Sequence, residues 1–163
     1  MSGKKYDLIV CGGSLAGLSA AVRAKELGVE HVLVLEKMKF LGGCAKLAGG
    51  IYAVDSPAQQ RLGLHYVPDD CFKGHMDINN WDCDVKLVGR WQHRTGDSIR
   101  WLEEKGCVFT KVLNFSGEKR FYHMTDKPTG NTIIKTMIDE CERLGVEILL
   151  ETPAKHLIMD GGR

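Results

Sequence analysis

The sequence has no excess of either charge: 22 Lys and Arg stand against 21 Asp and Glu, for a formal net charge of +1. No basic field that would gather nucleic acid or anionic lipid follows from that balance. Proline is scarce, with four residues beside 19 glycines, a combination that suits tight turns around a compact ligand better than a flexible linker. No apolar run approaches the ~20 residues of a membrane-spanning helix. The six cysteines, Cys11, Cys44, Cys71, Cys83, Cys107 and Cys141, form no Cys-x-x-Cys and no Cys/His pair at zinc spacing, which argues against a metal site. Cys11 and Cys141 lie in apolar periodic segments as small hydrophobes, so a reducing cytoplasmic setting is expected. Lys4 and Lys5 ahead of Leu8 to Val22 imitate a secretory leader. Asp7 and the glycines 12, 13 and 17 argue against that reading.

What is present is 44% apolar and 26% charged, the composition of one soluble globular domain. The first 36 residues read as a βαβ unit: a strand over Tyr6 to Cys11, a Gly-rich turn, a helix over Leu15 to Leu27 ending at Gly28, and a strand over His31 to Glu36. Both strands are nearly continuous apolar runs, as expected of parallel strands covered on both faces. Asp55 to Trp81 shows no sustained period, and its acids Asp69, Asp70, Asp77 and Asp82 read as a solvated loop instead of a cation site. Helical spacing returns from Cys83 to Lys105, with Val85, Val88 and Trp91 on one stripe and Ile99 and Leu102 on the next, broken or kinked near Gly96. Cys107 to Phe109 is a strand candidate, and Asn114 to Pro128 reads as irregular. Ile133, Ile134, Met137, Ile138, Cys141 and Leu144 predict a helix stopped by Gly145, with a strand over Val146 to Leu150. Ala154 to Met159 reads as a further strand running into an Asp160-Gly161 turn, so the sequence is expected to be cut inside a hairpin of something longer.

The chemistry is concentrated in the turn Gly12-Gly13-Ser14-Leu15-Ala16-Gly17, between a strand and a helix, where a G-x-G-x-x-G dinucleotide fingerprint would stand. The first Gly permits the turn and Gly17 lets helix and strand close. The helix N-terminus offers amide hydrogens and partial positive charge to a diphosphate. Ser14 replaces the middle Gly; its hydroxyl can donate to a phosphate oxygen but narrows the approach. Glu36, at the end of the second strand, supplies the acid that accepts from a ribose and repels a 2′-phosphate. The bland alternative is that these glycines serve packing only.

These blocks, with Val34-Leu35-Glu36-Lys37 and the second Gly-rich segment Gly42-Gly43-Cys44-Ala45-Lys46-Leu47-Ala48-Gly49-Gly50, resemble the FAD-binding domain of the fumarate reductase and succinate dehydrogenase flavoprotein superfamily, which includes ketosteroid dehydrogenases. The resemblance extends through Ile99 to Phe109, Gly130 to Leu150, and Ala154. It implies an α/β fold, a Rossmann-like βαβ unit with a parallel sheet, in a single incomplete FAD-binding domain over residues 1–163 that carries a helical and loop excursion over 55–125. It implies FAD as cofactor, held by Gly12, Gly13, Ser14, Leu15, Ala16 and Gly17 at the diphosphate, Glu36 and Lys37 at the adenosine ribose, Ala154 at the adenine, and Gly42, Gly43, Cys44, Leu47, Ala48, Gly49 and Gly50 along the flavin side. Gly43 stands where membrane-type members carry the histidine bonded to flavin, so the FAD is expected to be non-covalent. Cys44 and Ala45 replace a usual polar pair. The family's substrate-clamping and proton-donating Arg and His residues belong to segments outside this sequence, so no catalytic residue is assigned.

The full relative would pass a hydride between flavin and a C=C or CH–CH substrate, and the expected partners are FAD and, in that relative, a small molecule. A second reading is a non-catalytic nucleotide-binding module for ADP or NAD. Self-association through exposed apolar surface is expected. Among other candidates, His123 beside Arg120 reads as a solvated loop histidine, and His93 with Arg94 and Arg100 as a helix surface. Tyr52 stays open between a flavin neighbour and a packing aromatic.

Overall fold

The computed structural model describes residues 4–114, 121–159 and 161. The chain divides into two compact units, Met1–Lys46 with Ile133–Arg163, and Leu47–Thr132.

The first unit is built on a parallel sheet. Strand β1 (Leu8–Cys11), helix α1 (Leu15–Glu26) and strand β2 (Val32–Leu35) follow in order, and the sheet is completed by β6 (Glu147–Leu149) in the order β1-β2-β6. Ile9 pairs with Leu33, and Leu33 with Glu147. The α/β fold with a parallel sheet expected from the sequence is the one observed. Leu18, Ala21 and Val22 recur at helical spacing on α1 and are wholly buried, so the helix packs on β1 and β2. Ile133, Ile134, Met137 and Cys141 are likewise buried at helical spacing on α5 (Thr129–Arg143). Each fully buried Leu or Met contributes about 2 kcal/mol relative to exposure. The Cys141 thiol lies against the Leu18 carbonyl, and burial pushes its pKa up to about 11, so it is a packing group.

The two apolar runs differ in burial. Val32, Leu33 and Val34 on the central strand β2 are buried, whereas Leu8 and Ile9 are 36% and 50% exposed. β1 is the edge of this sheet, so the expectation that both strands are covered on both faces holds for β2 alone. Ala154 to Met159 forms no strand; Leu157 and Ile158 are exposed, with no neighbouring strand paired to them among the described residues.

The second unit contains the antiparallel sheet β3-β5-β4, made of β3 (Ile51–Tyr52), β4 (Lys111–Asn114) and β5 (Phe121–Met124). With it are helices α2 (Pro57–Arg61), α3 (Pro68–Ile78) and α4 (Val85–Glu104). Asp55 to Trp81 is therefore largely helical, not a loop. The start signals are local: Ser56 and Gln59 form a reciprocal capping box, and Pro57 and Pro68 open their helices. Asp69 and Asp70 lie exposed in the first turn of α3, where the helix dipole favours them.

α4 runs unbroken for 20 residues through Gly96. A Cβ there would lie 2.5 Å from the Asp55 carbonyl oxygen, so Gly96 marks a close backbone crossing instead of a helix break. The buried face of α4 is Gln92, Thr95, Gly96, Ile99 and Leu102, while Val85 and Trp91 of the expected stripe are 44% and 39% exposed. Cys107 to Phe109 is coil, with Cys107 and Phe109 buried and Val108 exposed; the strand begins at Lys111. Asn114 to Pro128, read as irregular, holds β5; its residues 115–120, Arg120 included, lie outside the described residues. Among the described residues no helix is long and apolar enough to cross a membrane.

Candidate functional site

The β1–α1 turn carries the expected ligand-binding shape. Gly12 has φ +110°, a left-handed conformation a side chain would strain. A Cβ on Gly17 would sit 1.8 Å from the Gly12 carbonyl oxygen, so α1 approaches the turn as closely as backbone permits. Ser14 is the N-cap of α1, but its side chain makes no cap bond, and no acid lies in the first turn. The amides of Leu15, Ala16 and Gly17 have no intrahelical acceptor, and no carboxylate from the first turn of α1 itself offsets the positive end of the dipole.

Glu36 closes the other side. Its carboxylate accepts from the Met38 amide at 2.8 Å and from the Gly13 amide at 2.7 Å. Those two amides hold the carboxyl below the usual carboxylate range. A carboxylate has about four lone-pair sites; two are used, and the remainder can accept from hydroxyls. Gly12, Glu36, Lys37, Pro153 and Ala154 line a cleft of ≈ 270 Å³, together with Cys11 and Leu35. Ala154, far along the chain, is thus brought to Glu36 and Lys37.

The start of the second Gly-rich segment lies on the first turn. The Gly42 amide donates to the Gly13 carbonyl at 2.8 Å, the Ser14 hydroxyl donates to the Gly42 carbonyl at 3.1 Å, and Ser14 and Gly42 form a parallel β-bridge. Gly42 has φ +104°, and a Cβ on it would press on Lys46 and Ile134. Gly43 adjoins the Ser14 hydroxyl, and exposed Cys44 follows in a short 3-10 helix, Gly43–Leu47.

Leu47, Ala48, Gly49 and Gly50 fall in the second unit. Leu47 is 88% exposed. The Ala48 carbonyl accepts from the Gly130 amide, the Gly49 carbonyl accepts from the Thr129 hydroxyl, and a Cβ on Gly50 would lie 3.1 Å from Tyr122. These contacts seat the segment against β5 and the start of α5.

The same unit overturns the reading of His123. It is wholly buried on β5, its Nε2 2.6 Å from the Ser56 hydroxyl, and burial lowers its pKa to about 4, so the ring is neutral. The inward alternation of Phe121 and His123 along β5 is the signal that could have identified it. Tyr52 stacks on Trp91 at 4.8 Å and accepts a hydrogen bond from Gln92. His93 lies on the exposed face of α4, bonded to Asp69, as expected of a helix surface.

Uncapped amides at the start of α1, and a cleft lined by Gly12 of the turn and by a carboxylate with spare acceptor capacity, fit an adenine dinucleotide. The comparisons agree. The family model described as FAD binding domain matches residues 7–163. A vinyl phenol reductase of Lactiplantibacillus plantarum is 28% identical over 96% of this chain and 32% of its own length. An NADH:fumarate oxidoreductase of Klebsiella pneumoniae is 27% identical over 97% of this chain and 17% of its own. The open conformation of a flavocytochrome c3 fumarate reductase superposes with a TM-score of 0.84 at 26% identity, covering 90% of this chain and 26% of that one. The chain thus spans about a third or less of these relatives. With the family model covering the chain from residue 7 through Arg163, over a turn and cleft shaped for its ligand, this chain belongs to the FAD binding domain family, whose cofactor is FAD.

Proposed function

We propose that this chain is the FAD-holding portion of a flavoprotein oxidoreductase that passes a hydride between flavin and an activated C=C or CH–CH substrate. The observation that carries the reading is the Glu36 carboxylate, bonded to the Gly13 amide of the first turn while it lines a cleft shared with Ala154. In this reading Leu15, Ala16 and Gly17 offer their amides to the diphosphate. Glu36 accepts from the adenosine ribose, with Lys37 beside it, and Ala154 borders the adenine. The backbone from Gly42 to Gly50 follows the flavin side. FAD, when bound, supplies the two-electron chemistry; the chain supplies binding, orientation and charge. Gly43, with no side chain to bond the flavin, makes the attachment non-covalent. The first unit holds the nucleotide half, and the excursion over 55–125 is carried within the same FAD-binding domain. No disulfide joins the cysteines, and the setting proposed is the cytoplasm. The exposed apolar residues Leu8, Ile9 and Leu149 favour self-association, which light scattering on the purified chain would register as a mass above the monomer.

Titrating the purified chain with FAD tests the reading. Saturable quenching of flavin fluorescence, with competition by ADP, is expected. Binding of ADP or NAD without FAD would instead identify a nucleotide-binding module with no flavin chemistry.

A further inference from the structure

We infer that Ser14 is a positioning residue that clasps the second glycine bend to the first, and is not itself a phosphate ligand. The inference rests on the flavoprotein reading above, in which the first bend meets the diphosphate and the second the flavin side. Ser14 occupies the N-cap position of α1, where a serine hydroxyl ordinarily accepts from an amide two or three residues on. Here it makes no such bond. Its single O–H is donated to the Gly42 carbonyl, 28 residues away, and the neighbouring Gly42 amide is bonded to Gly13. Both polar groups of Gly42 are therefore fixed on the first bend.

A hydroxyl has one proton to give. Donated to Gly42, it is not available to a phosphate oxygen, and what the Ser14 oxygen has left are lone pairs, which a phosphate avoids. The α1 amides are left uncapped as a consequence, so the same rotamer joins the bends and keeps the helix N-terminus open to an anion. A glycine at this position, as in the common fingerprint, would leave the amides open but could make no clasp. The benefit to ligand is preorganisation: a backbone already held in its binding shape loses less freedom when the ligand arrives.

The test compares two ligands on Ser14→Ala and Ser14→Thr. ADP can reach the first bend alone, whereas FAD extends to both. In S14A, FAD affinity should fall roughly fivefold, the worth of one ordinary hydrogen bond, with ADP affinity unchanged. S14T, which keeps the hydroxyl, should restore FAD binding. In the ligand-free chain, hydrogen exchange at the Gly42 amide should speed up in S14A and stay slow in S14T. Equal loss of FAD and ADP with unaltered Gly42 exchange would overturn the inference in favour of a direct phosphate contact. Unchanged FAD affinity in S14A would overturn it outright, as would parallel loss of both ligands together with a lowered melting temperature, the mark of a purely structural role. If wild type binds no FAD, the flavoprotein reading fails, while the Gly42 exchange still decides whether the clasp exists.

Discussion

The two units handle buried polarity in opposite ways. Among the described residues, Glu36 is the one buried polar side chain of the first unit; Ser56, Gln59, Gln92, Thr95, His123 and Thr129 are all buried in the second. In the first unit the interior is apolar, and spare polar capacity lies at the start of α1, in its uncapped amides, and at a cleft lined by the Glu36 carboxylate. In the second, most buried polar side chains pair with one another inside, and Gln59 Nε2, Gln92 Oε1 and His123 Nδ1 are the buried atoms left without a partner among the described residues. Ser56 caps α2 and meets His123, Thr95 accepts from the Val54 amide, and Gln92 donates to Tyr52. A buried polar group is costly unless bonded. The second arrangement therefore specifies packing, while the first leaves bonding capacity that a ligand can complete.

Breaking the first unit's cleft should give the largest effect. In Gly17→Ala the added methyl meets the Gly12 carbonyl, so the turn and helix must separate. FAD binding should be lost altogether, and stability should fall by about 3 kcal/mol, at the upper end for overpacking. Fluorescence titration and thermal melting report the two losses; a variant that bound FAD normally would show that the turn's shape is not what the ligand reads.

Acid should strike the second unit next. His123 binds a proton at its ordinary 6.5 when unfolded and only at about 4 when folded, so the unfolded state takes up more protons across that window. Stability is fully present above pH 6.5 and declines as the pH falls, by about 3 kcal/mol at pH 4. Urea melts of wild type and His123→Gln should diverge in slope between those limits, and parallel curves would refute the assignment. Glu36 acts in the same direction but lower: its depressed pKa makes its contribution full above its ordinary 4.5 and lost as pH falls through the folded value.

Glu36→Gln should weaken the first unit by about 2 kcal/mol, because an amide nitrogen would face one of the two backbone N–H groups the carboxylate now accepts. It should also weaken AMP and FAD together, which separates the adenosine end of the cleft from the S14A pattern. The smallest change expected is Arg61→Ala. Its ion pair with Glu103 leaves the Arg61 side chain 55% exposed, and removal should shift stability by about 0.5 kcal/mol, within reach of careful chemical denaturation. A loss several times larger would mean that the pair belongs to the buried network after all.

The first unit was readable because its signals are local. The β1–α1 turn, Glu36, α5 and Gly145 sit in apolar runs whose period and punctuation name the element. In the second unit the period misleads. α4 turns Gln92 and Thr95 inward beside Ile99 and Leu102 and leaves Val85 and Trp91 partly exposed, so counting apolar residues finds Ile99 and Leu102 of the buried face but misses its polar members. His123 looks like a solvated residue because the Ser56 that partners it lies 67 positions away. The capping box at Ser56 and the prolines opening α2 and α3 were visible signals, obscured by the acidic surroundings. At the site, the turn and Glu36 were legible, but the rotamer of Ser14 was not, since nothing in a hexapeptide shows that its hydroxyl reaches Gly42.

The sheet order β1-β2-β6 has a consequence for biosynthesis. β2 emerges early, pairs with β1 on one side, and must wait for β6 until the whole second unit has been made. At about 5–20 residues per second, its other edge stays open for on the order of ten seconds while β6 is still being translated. Val32, Leu33 and Val34 are then an open apolar edge for a ribosome-associated chaperone to hold until β6 arrives.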